Sequence, residues 1–389
     1  MKKIQNVLAN TFLVVISTVL VFAVTEALLN VYLLHFADEA RFIKYASIRQ
    51  LQERKLSNKP LYSPHRYLGY YPTPKYIRGR NKHNSLGYRG DEISMPKPKG
   101  QFRIVCLGGS TTYTAHVEDY RMSYPYLLGK YLNGKGYKHV NVINAGGSGW
   151  SSGESLINFE LRVLDLEPDM IIVYHGVNDI NARLVWPPEA YRGDNSGRSA
   201  PGQLGIFMPG ILEYSTLLRV LMIRTGKAES HAAFERTVNR SSETYYGALF
   251  RKQVIEGVYP EGIFKEVSAE EMLKANKPVF FERNMRGIIS IAKSHGIAVV
   301  LSSFAYSPLF TDMPRASSRE YIAAYREQNG LLKELARETD VYFYDFAGEF
   351  PTEKRYYTDG RHVNEEGAQL KAEYFGDYLI DNALIIFNN

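Results

Sequence analysis

A single cysteine, Cys106, stands in a chain of 389 residues. That excludes an intrachain disulfide, a CxxC metal site and a lipid-modified cysteine near the start. So few thiols are compatible with an oxidising compartment without requiring one. Cys106 itself lies in the apolar run IVCLGG, the setting of a buried core residue rather than a reactive thiol. Concentrated charge is missing too. The net charge is +6 and the isoelectric point near 9.0, yet Lys and Arg are spread along the chain without a run of five or six. Nucleic-acid binding wants a basic stripe, so nucleic acid is not expected as a partner; scattered positive charge suits anionic lipid headgroups better. The nine histidines show no metal-ligand spacing, so no metal site is expected. No internal repeat is visible. What is present is an ordinary globular composition, 45% hydrophobic and 23% charged, sufficient for a sizeable core.

Long apolar runs are absent except for one. Residues 7–34 are nearly all apolar, most densely over 12–24, and a hydrocarbon core needs about 20 residues to cross. A cleaved signal peptide would have an apolar region of about 7–15 residues ending at a small-x-small site. Here the run continues past Ala23 through Ala27, Leu28 and Leu29, with no Ala-x-Ala site. The expectation is a retained single-pass membrane anchor. Lys2 and Lys3 precede it, while Asp38 and Glu39 follow. By the positive-inside tendency the N-terminus is cytoplasmic and the rest of the chain lies outside, periplasmic or extracellular. Glu26, toward the far end, is expected to reach the headgroup region rather than to meet another helix.

Residues 37–100 form a Pro- and Tyr-rich lead-in (PLYSPHRYLGYYPTPKY) without clear periodicity. Beyond it, short β-rich runs at 103–107, 140–144, 170–175, 298–304 and 341–345 alternate with helix-like stretches at 124–133, 153–165, 280–295 and 318–339. Such alternation predicts an α/β fold: a doubly wound parallel sheet of five strands with helices on both faces. The rhythm breaks for about a hundred residues after the third run, starting at WPPEAYRGDNSGRSAPG. A structureless loop of that length does not suit a compact domain. The stretch at about 185–278 therefore reads as an inserted, partly helical segment beside the site, lid-like in placement, within a main domain spanning 101–389.

Four segments follow these strands, where a doubly wound sheet places its ligand. In IVCLGGSTT a buried strand ends at Gly108-Gly109, and Ser110 is left at the turn beside free N–H groups. An exposed hydroxyl next to such donors is what acyl transfer needs, although a serine there also reads as a plain helix cap. NAGGSGWSS supplies glycines that let backbone approach an oxyanion, and YHGVNDI supplies the Asn178 amide, which turn chemistry explains equally well. Near the C-terminus, YYTDGRHVNEEG puts Asp359 three residues before His362, so a carboxylate can hold one imidazole nitrogen while the other faces a nucleophile.

Block by block, from about Phe102 to the C-terminal helix, the order of these motifs resembles the SGNH hydrolases, also called GDSL esterases and lipases. The resemblance implies a three-layer α/β/α, flavodoxin-like fold and ester hydrolysis without metal or organic cofactor. It implies Ser110 in GGST as nucleophile, Asp359 and His362 in DGRH as acid and base, and an oxyanion hole from the N–H groups of Ser110 and Gly149 with the Asn178 amide. One departure stands out: the family's GDS reads GGS, with Gly109 in place of a non-catalytic acidic residue. The segment NSLGYRGDEI also looks like those preceding the core in membrane-tethered members, and reads as packing.

A rival nucleophile exists. Gly149-Trp150-Ser151-Ser152-Gly153 fits the G-x-S-x-G elbow of α/β-hydrolases, with Ser151 reacting. The elbow explains neither GVND nor the short Asp-x-x-His. His175 reads as structural and His116 as a surface-loop residue able to touch substrate. Asn239-Arg240-Ser241 is a glycosylation sequon. The expected substrate is an acyl ester, O-acetyl above all, on a cell-surface glycan or a lipid, with the glycan favoured by location. Transfer to a glycan hydroxyl and a non-catalytic polysaccharide-binding or assembly role stay open as alternatives. Sequence leaves the oligomeric state undetermined.

Overall fold

Five short β-rich runs become one parallel sheet, in a computed structural model that describes residues 2–53, 60–65, 67–193, 210–230 and 244–385. The strands are β1 (Phe102–Gly108), β2 (Val140–Gly146), β3 (Met170–Tyr174), β4 (Ala298–Ser302) and β5 (Tyr342–Tyr344), in the order β2-β1-β3-β4-β5. All pairs are parallel. This is the flavodoxin-like order, whose ligand crevice opens at the carboxyl ends beside the first strand. In register, Gly108 lies opposite both Gly146 and Tyr174. Three chain segments therefore leave the sheet at one level, carrying Ser110, Gly149 and Asn178.

Period-2 alternation sends neighbouring residues to opposite faces, and both faces are buried, as a parallel sheet requires. Ile104, Cys106 and Ile172 face a core completed by the helices Tyr124–Gly134 and Glu365–Asp381. Val105, Leu107 and Ile171 face a second core closed by the helix Val279–Ser294 and the C-terminal half of Arg319–Thr339. The result is the expected three-layer α/β/α fold. Strands and helices start and stop within a few residues of their expected positions, with one real difference. The single helix expected at 153–165 is an α-helix over Ser152–Asn158, a widened π turn over Phe159–Val163 and a 3₁₀ turn over Leu164–Leu166. Those changes of pitch carry Phe159, Val163 and Leu166 together into the second core.

Within the lead-in, two small antiparallel hairpins pair Tyr62–His65 with Gly69–Pro72 and Ile77–Arg78 with Asn81–Lys82. The long stretch after β3 carries the helices Thr216–Arg224, Tyr245–Glu256 and Ala269–Ala275. The sequon at Asn239 lies outside the described residues.

Helix α1 (Lys2–His35) holds the apolar run. Over Gln5–His35 it is long and apolar enough to cross a membrane, with a mean hydropathy of 2.5 and its apolar window uncovered by the rest of the chain. Its hydroxyls at Thr11, Ser17, Thr18 and Thr25 donate to carbonyls four residues back, which removes polar groups from its surface. Glu26 corrects an expectation. Instead of turning to headgroups it meets another helix: its carboxylate accepts from Ser215 Oγ (2.8 Å), Thr216 N (2.6 Å) and Leu217 N (2.9 Å). The first N–H groups of any helix lack internal partners, and a carboxylate there also meets the favourable end of the helix dipole. Those donors belong to a helix some 190 residues away, so nothing near Glu26 in the sequence announces them.

Candidate active site

Ser110 opens the short helix Ser110–Tyr113 directly after β1, with Gly109 as its N-cap. Its Oγ lies 2.7 Å from His362 Nε2. His362 Nδ1 lies 2.9 Å from Asp359 Oδ2, and the His362 backbone N–H donates to Asp359 Oδ1 at 2.9 Å. The short Asp-x-x-His loop thus holds the imidazole through both ring and main chain. With the Nδ1 proton facing the carboxylate, Nε2 is left to accept from the Ser110 hydroxyl.

Burial and hydrogen bonding set the protonation states. Burial opposes the charge on Asp359, yet the bonds and charge supplied by His362 and Arg361 outweigh it and hold the carboxyl well below the usual range. Burial pushes His362 down to about 4; the Asp359 carboxylate works against that shift, while Arg361 and His116 add to it. At neutral pH the pair is therefore an ionised carboxylate and a neutral imidazole, the states a general base requires.

Across the cleft stand three donors. The Ser110 N–H begins a helix, and Gly149 turns the chain after β2 at φ 75°, a conformation that favours glycine. Neither N–H has an acceptor among the described residues. Asn178 Nδ2 donates one hydrogen to Trp150 O at 2.8 Å, which fixes the amide and leaves its second hydrogen for the cleft. Its neighbour Asp179 accepts from Ser152 N and Ser152 Oγ, clamping the turn after β2 against the end of β3. Ser110, Gly149, Asn178, Asp359 and His362 all line one cleft of about 250 Å³. Donors converging with a hydroxyl and a neutral imidazole on one small volume can stabilise an oxyanion formed there.

Two participants escaped the sequence reading. Arg361 and Arg315 line the cleft, and Arg361 shares Asp359 Oδ2 with His362. His116, on an exposed turn as expected, stacks on His362 with ring centroids 4.1 Å apart and bonds Thr358 Oγ1 at 2.6 Å, so this surface residue roofs the imidazole and lines the cleft. His116, Asp359 and His362 bring possible metal-ligating atoms within 4.8 Å of one another. Both ring nitrogens of His362 are already engaged by Ser110 and Asp359, and the Arg361 cation sits on the same carboxylate oxygen. The donor set does not fit a cation.

The lead-in braces the site. Arg89, in the YRG of the segment read as packing, is buried and donates to the carbonyls of Tyr113 (2.7 Å), Thr114 (2.8 Å), Val117 (2.6 Å) and Glu118 (3.1 Å). Those four carbonyls belong to the segment that follows Ser110 and flanks His116 on both sides. Tyr70 OH donates to Ser148 O at 2.6 Å, beside Gly149. His175, read as structural, bonds Ser155 Oγ at 2.8 Å and is fully enclosed.

Gly109 has a steric reason. A Cβ built there would meet Asn178 Nδ2 and the Trp150 carbonyl oxygen, each at 2.9 Å. Restoring the family's acidic residue with Gly109→Asp is therefore expected to displace the Asn178 amide. Loss of one such donor costs about 10²–10³ in kcat. Ester hydrolysis by Gly109→Asp, compared with Asn178→Ala, measures it; activity equal to wild type would show that the Asn178 amide is not needed where it lies.

The family model for GDSL-like lipases and acylhydrolases matches residues 106–370, more than half of the chain. Among solved structures, the lipase/acylhydrolase from Enterococcus faecalis is similar at 13% identity, with 72% of this chain and 97% of that chain covered and a TM-score of 0.41. A catalytic mutant of Axe2, an acetylxylan esterase from Geobacillus stearothermophilus, is similar at 14% identity, with 72% and 94% covered and a TM-score of 0.39. Likenesses that distant say nothing of substrate. No curated protein sequence matches significantly. The family match runs from inside β1 to the C-terminal helix and so takes in every residue lining the cleft; the chain belongs to the GDSL-like lipase/acylhydrolase (SGNH) family of ester hydrolases.

Proposed function

We propose that the protein is a membrane-anchored serine esterase that removes short O-acyl groups, acetyl above all, from cell-surface glycans. The observation that carries the reading is the continuous line from Ser110 Oγ to His362 Nε2 at 2.7 Å and from His362 Nδ1 to Asp359 at 2.9 Å. His362 takes the Ser110 proton as Oγ bonds to the ester carbonyl carbon. The carbonyl oxygen becomes an oxyanion facing the Ser110 and Gly149 N–H groups and the Asn178 amide. Collapse breaks the bond to the leaving alkoxide, which receives the proton from His362. Water then gives a proton to the same imidazole as it attacks the acyl carbon; collapse breaks the bond to Ser110 Oγ, which takes that proton back from His362, and the acid leaves.

The cleft, at about 250 Å³, is smaller than pockets for drug-sized ligands, which run about 300–1,000 Å³; a short acyl group suits it better than a fatty chain. The uncovered apolar face of α1 and its internally satisfied hydroxyls support a retained span over 7–34. The lead-in 37–100 and the catalytic domain 101–389, with its insertion at 185–278, would then lie outside. Product analysis on O-acetylated glycans and on acyl esters of increasing length tests the substrate. Faster release of long fatty acyl groups than of acetate would overturn it, and acetate recovered on a second sugar instead of in water would make the protein a transferase.

The pH profile follows from His362. Its conjugate acid is lost at about 4, below the ordinary histidine value, so the base form persists into mild acid. The expected kcat/KM is level across neutral pH and falls tenfold per pH unit only below that value. Steady-state kinetics with an uncharged ester checks it; an acid limb at or above the ordinary histidine value of about 6.5 contradicts a buried base.

A further inference from the structure

The helix capped by Glu26 is part of a larger assembly at the end of α1. Arg219, on the helix α2 (Thr216–Arg224), is fully buried and donates to Tyr45 O at 2.6 Å, Leu212 O at 2.7 Å and Gln50 Oε1 at 3.0 Å. Gln50 in turn donates to Asn30 Oδ1 of α1 at 3.0 Å. One guanidinium and one carboxylate thus clamp three separate parts of the chain together: the end of α1, the first turns of the lead-in, and the segment 210–224 of the insertion. Large apolar side chains of the segment stay exposed beside this clamp: Ile211 is 64% exposed, Tyr214 90% and Leu221 53%.

We propose that segment 210–224 is a membrane-contacting collar, its outer face seated in the interfacial layer of the leaflet from which α1 emerges. The inference rests on the reading of α1 as a retained span. The apolar stretch 7–34 is longer than the ~30 Å of a hydrocarbon core requires; counted from Val7, about 20 residues at 1.5 Å each cover that core, and the apolar residues past Glu26 then lie in the interfacial layer. Glu26 therefore stands at the boundary of the core. The first residues of α2 are bound to it at 2.6–2.9 Å, which fixes the height at which the collar begins. An uncapped Glu26 at that depth would be costly, and the clamp removes the cost.

The chemistry of the outer face fits the same place. Tyrosine is enriched where bilayer meets water, and Tyr214 projects with almost no protein around it. Arg224 and Lys227, both exposed, follow the apolar stretch and suit anionic headgroups. A short helix with an apolar outer side and terminal cations is the form of an interfacial helix. Attachment to the end of α1 selects lipid over protein as the occupant, because Glu26 ties the first turn of this segment directly to the span. The insertion then holds the catalytic domain at a set height above the bilayer.

Because Cys106 is fully buried, cysteines introduced at exposed positions can be labelled selectively with an environment-sensitive NBD dye. The full chain, carrying Ile211→Cys, Tyr214→Cys or Leu221→Cys, is placed in phosphatidylcholine/phosphatidylglycerol nanodiscs with and without doxyl-labelled lipid. Val14→Cys on α1 serves as the membrane reference and Lys135→Cys, beyond the helix Tyr124–Gly134, as the aqueous one. The expected result is blue-shifted emission and doxyl quenching at all three collar positions and at Val14, with neither at Lys135. Water-like emission at the collar with quenching at Val14 overturns the collar and leaves the anchor standing. Water-like emission at Val14 as well defeats the anchor reading itself, and the collar with it. A blue shift at the collar without doxyl quenching assigns the face to another protein or a second copy, and also overturns the proposal.

Discussion

Ser110→Ala is expected to lower kcat for ester hydrolysis by about 10⁴–10⁶-fold, while Ser151→Ala stays within about tenfold of wild type. The two hydroxyls sit in opposite chemical circumstances. Ser110 Oγ has a basic nitrogen at 2.7 Å and opens onto the cleft. Ser151 is buried, and its hydroxyl donates to Glu154 Oε2 at 2.7 Å, as its backbone N–H also does. A hydroxyl already bonded to a carboxylate at the head of a helix is a cap, and removing it should cost about 1 kcal/mol of stability rather than activity. Both variants should be assayed on the same short-chain ester, with thermal unfolding followed in parallel. Full activity in Ser110→Ala would end the assignment of the nucleophile. Loss of activity in Ser151→Ala at unchanged stability would revive the elbow.

Asp359→Asn should cost about 10⁴ in kcat, with little change in the fold. An asparagine keeps the shape but presents an amide where His362 Nδ1 now faces a carboxylate oxygen. The imidazole would then favour its other tautomer, with a hydrogen on Nε2 pointing at Ser110 and no lone pair to accept the proton. The sign of the accompanying pH effect is fixed as well. Asp359 raises the affinity of His362 for its proton against the larger effect of burial. Removing the carboxylate must move the acid limb of kcat/KM to lower pH, not higher. A variant retaining a tenth or more of wild-type kcat would show that the carboxylate does not orient the base.

Much of this molecule could be read locally. Runs such as IVCL and MIIVY are short, apolar and β-branched, and the glycines that follow β1 and β2 mark where the chain must turn. Asp359 and His362 share one loop, so three residues of spacing already bring carboxylate and imidazole together. Even the role of Ser151 had a local sign that the elbow pattern obscured, since Ser151-x-x-Glu154 is a capping box.

The glycine at position 109 was legible as a departure but not as a necessity. Its reason is the Asn178 amide, which arrives from the end of another strand. The same holds for Arg89, whose four acceptor carbonyls lie 24 to 29 residues downstream, and for His116, which covers an imidazole 246 positions later in the chain. By itself, the sequence determined the strands, the helices and the nucleophile, base and acid candidates, because hydrophobic period, turn chemistry and short spacings act over a few residues. Only the tertiary structure decided who closes the cleft, why Gly109 bears no side chain and what Glu26 holds. Those answers depend on which strand ends share a level and which helix starts lack partners, and neither is set before the chain has packed.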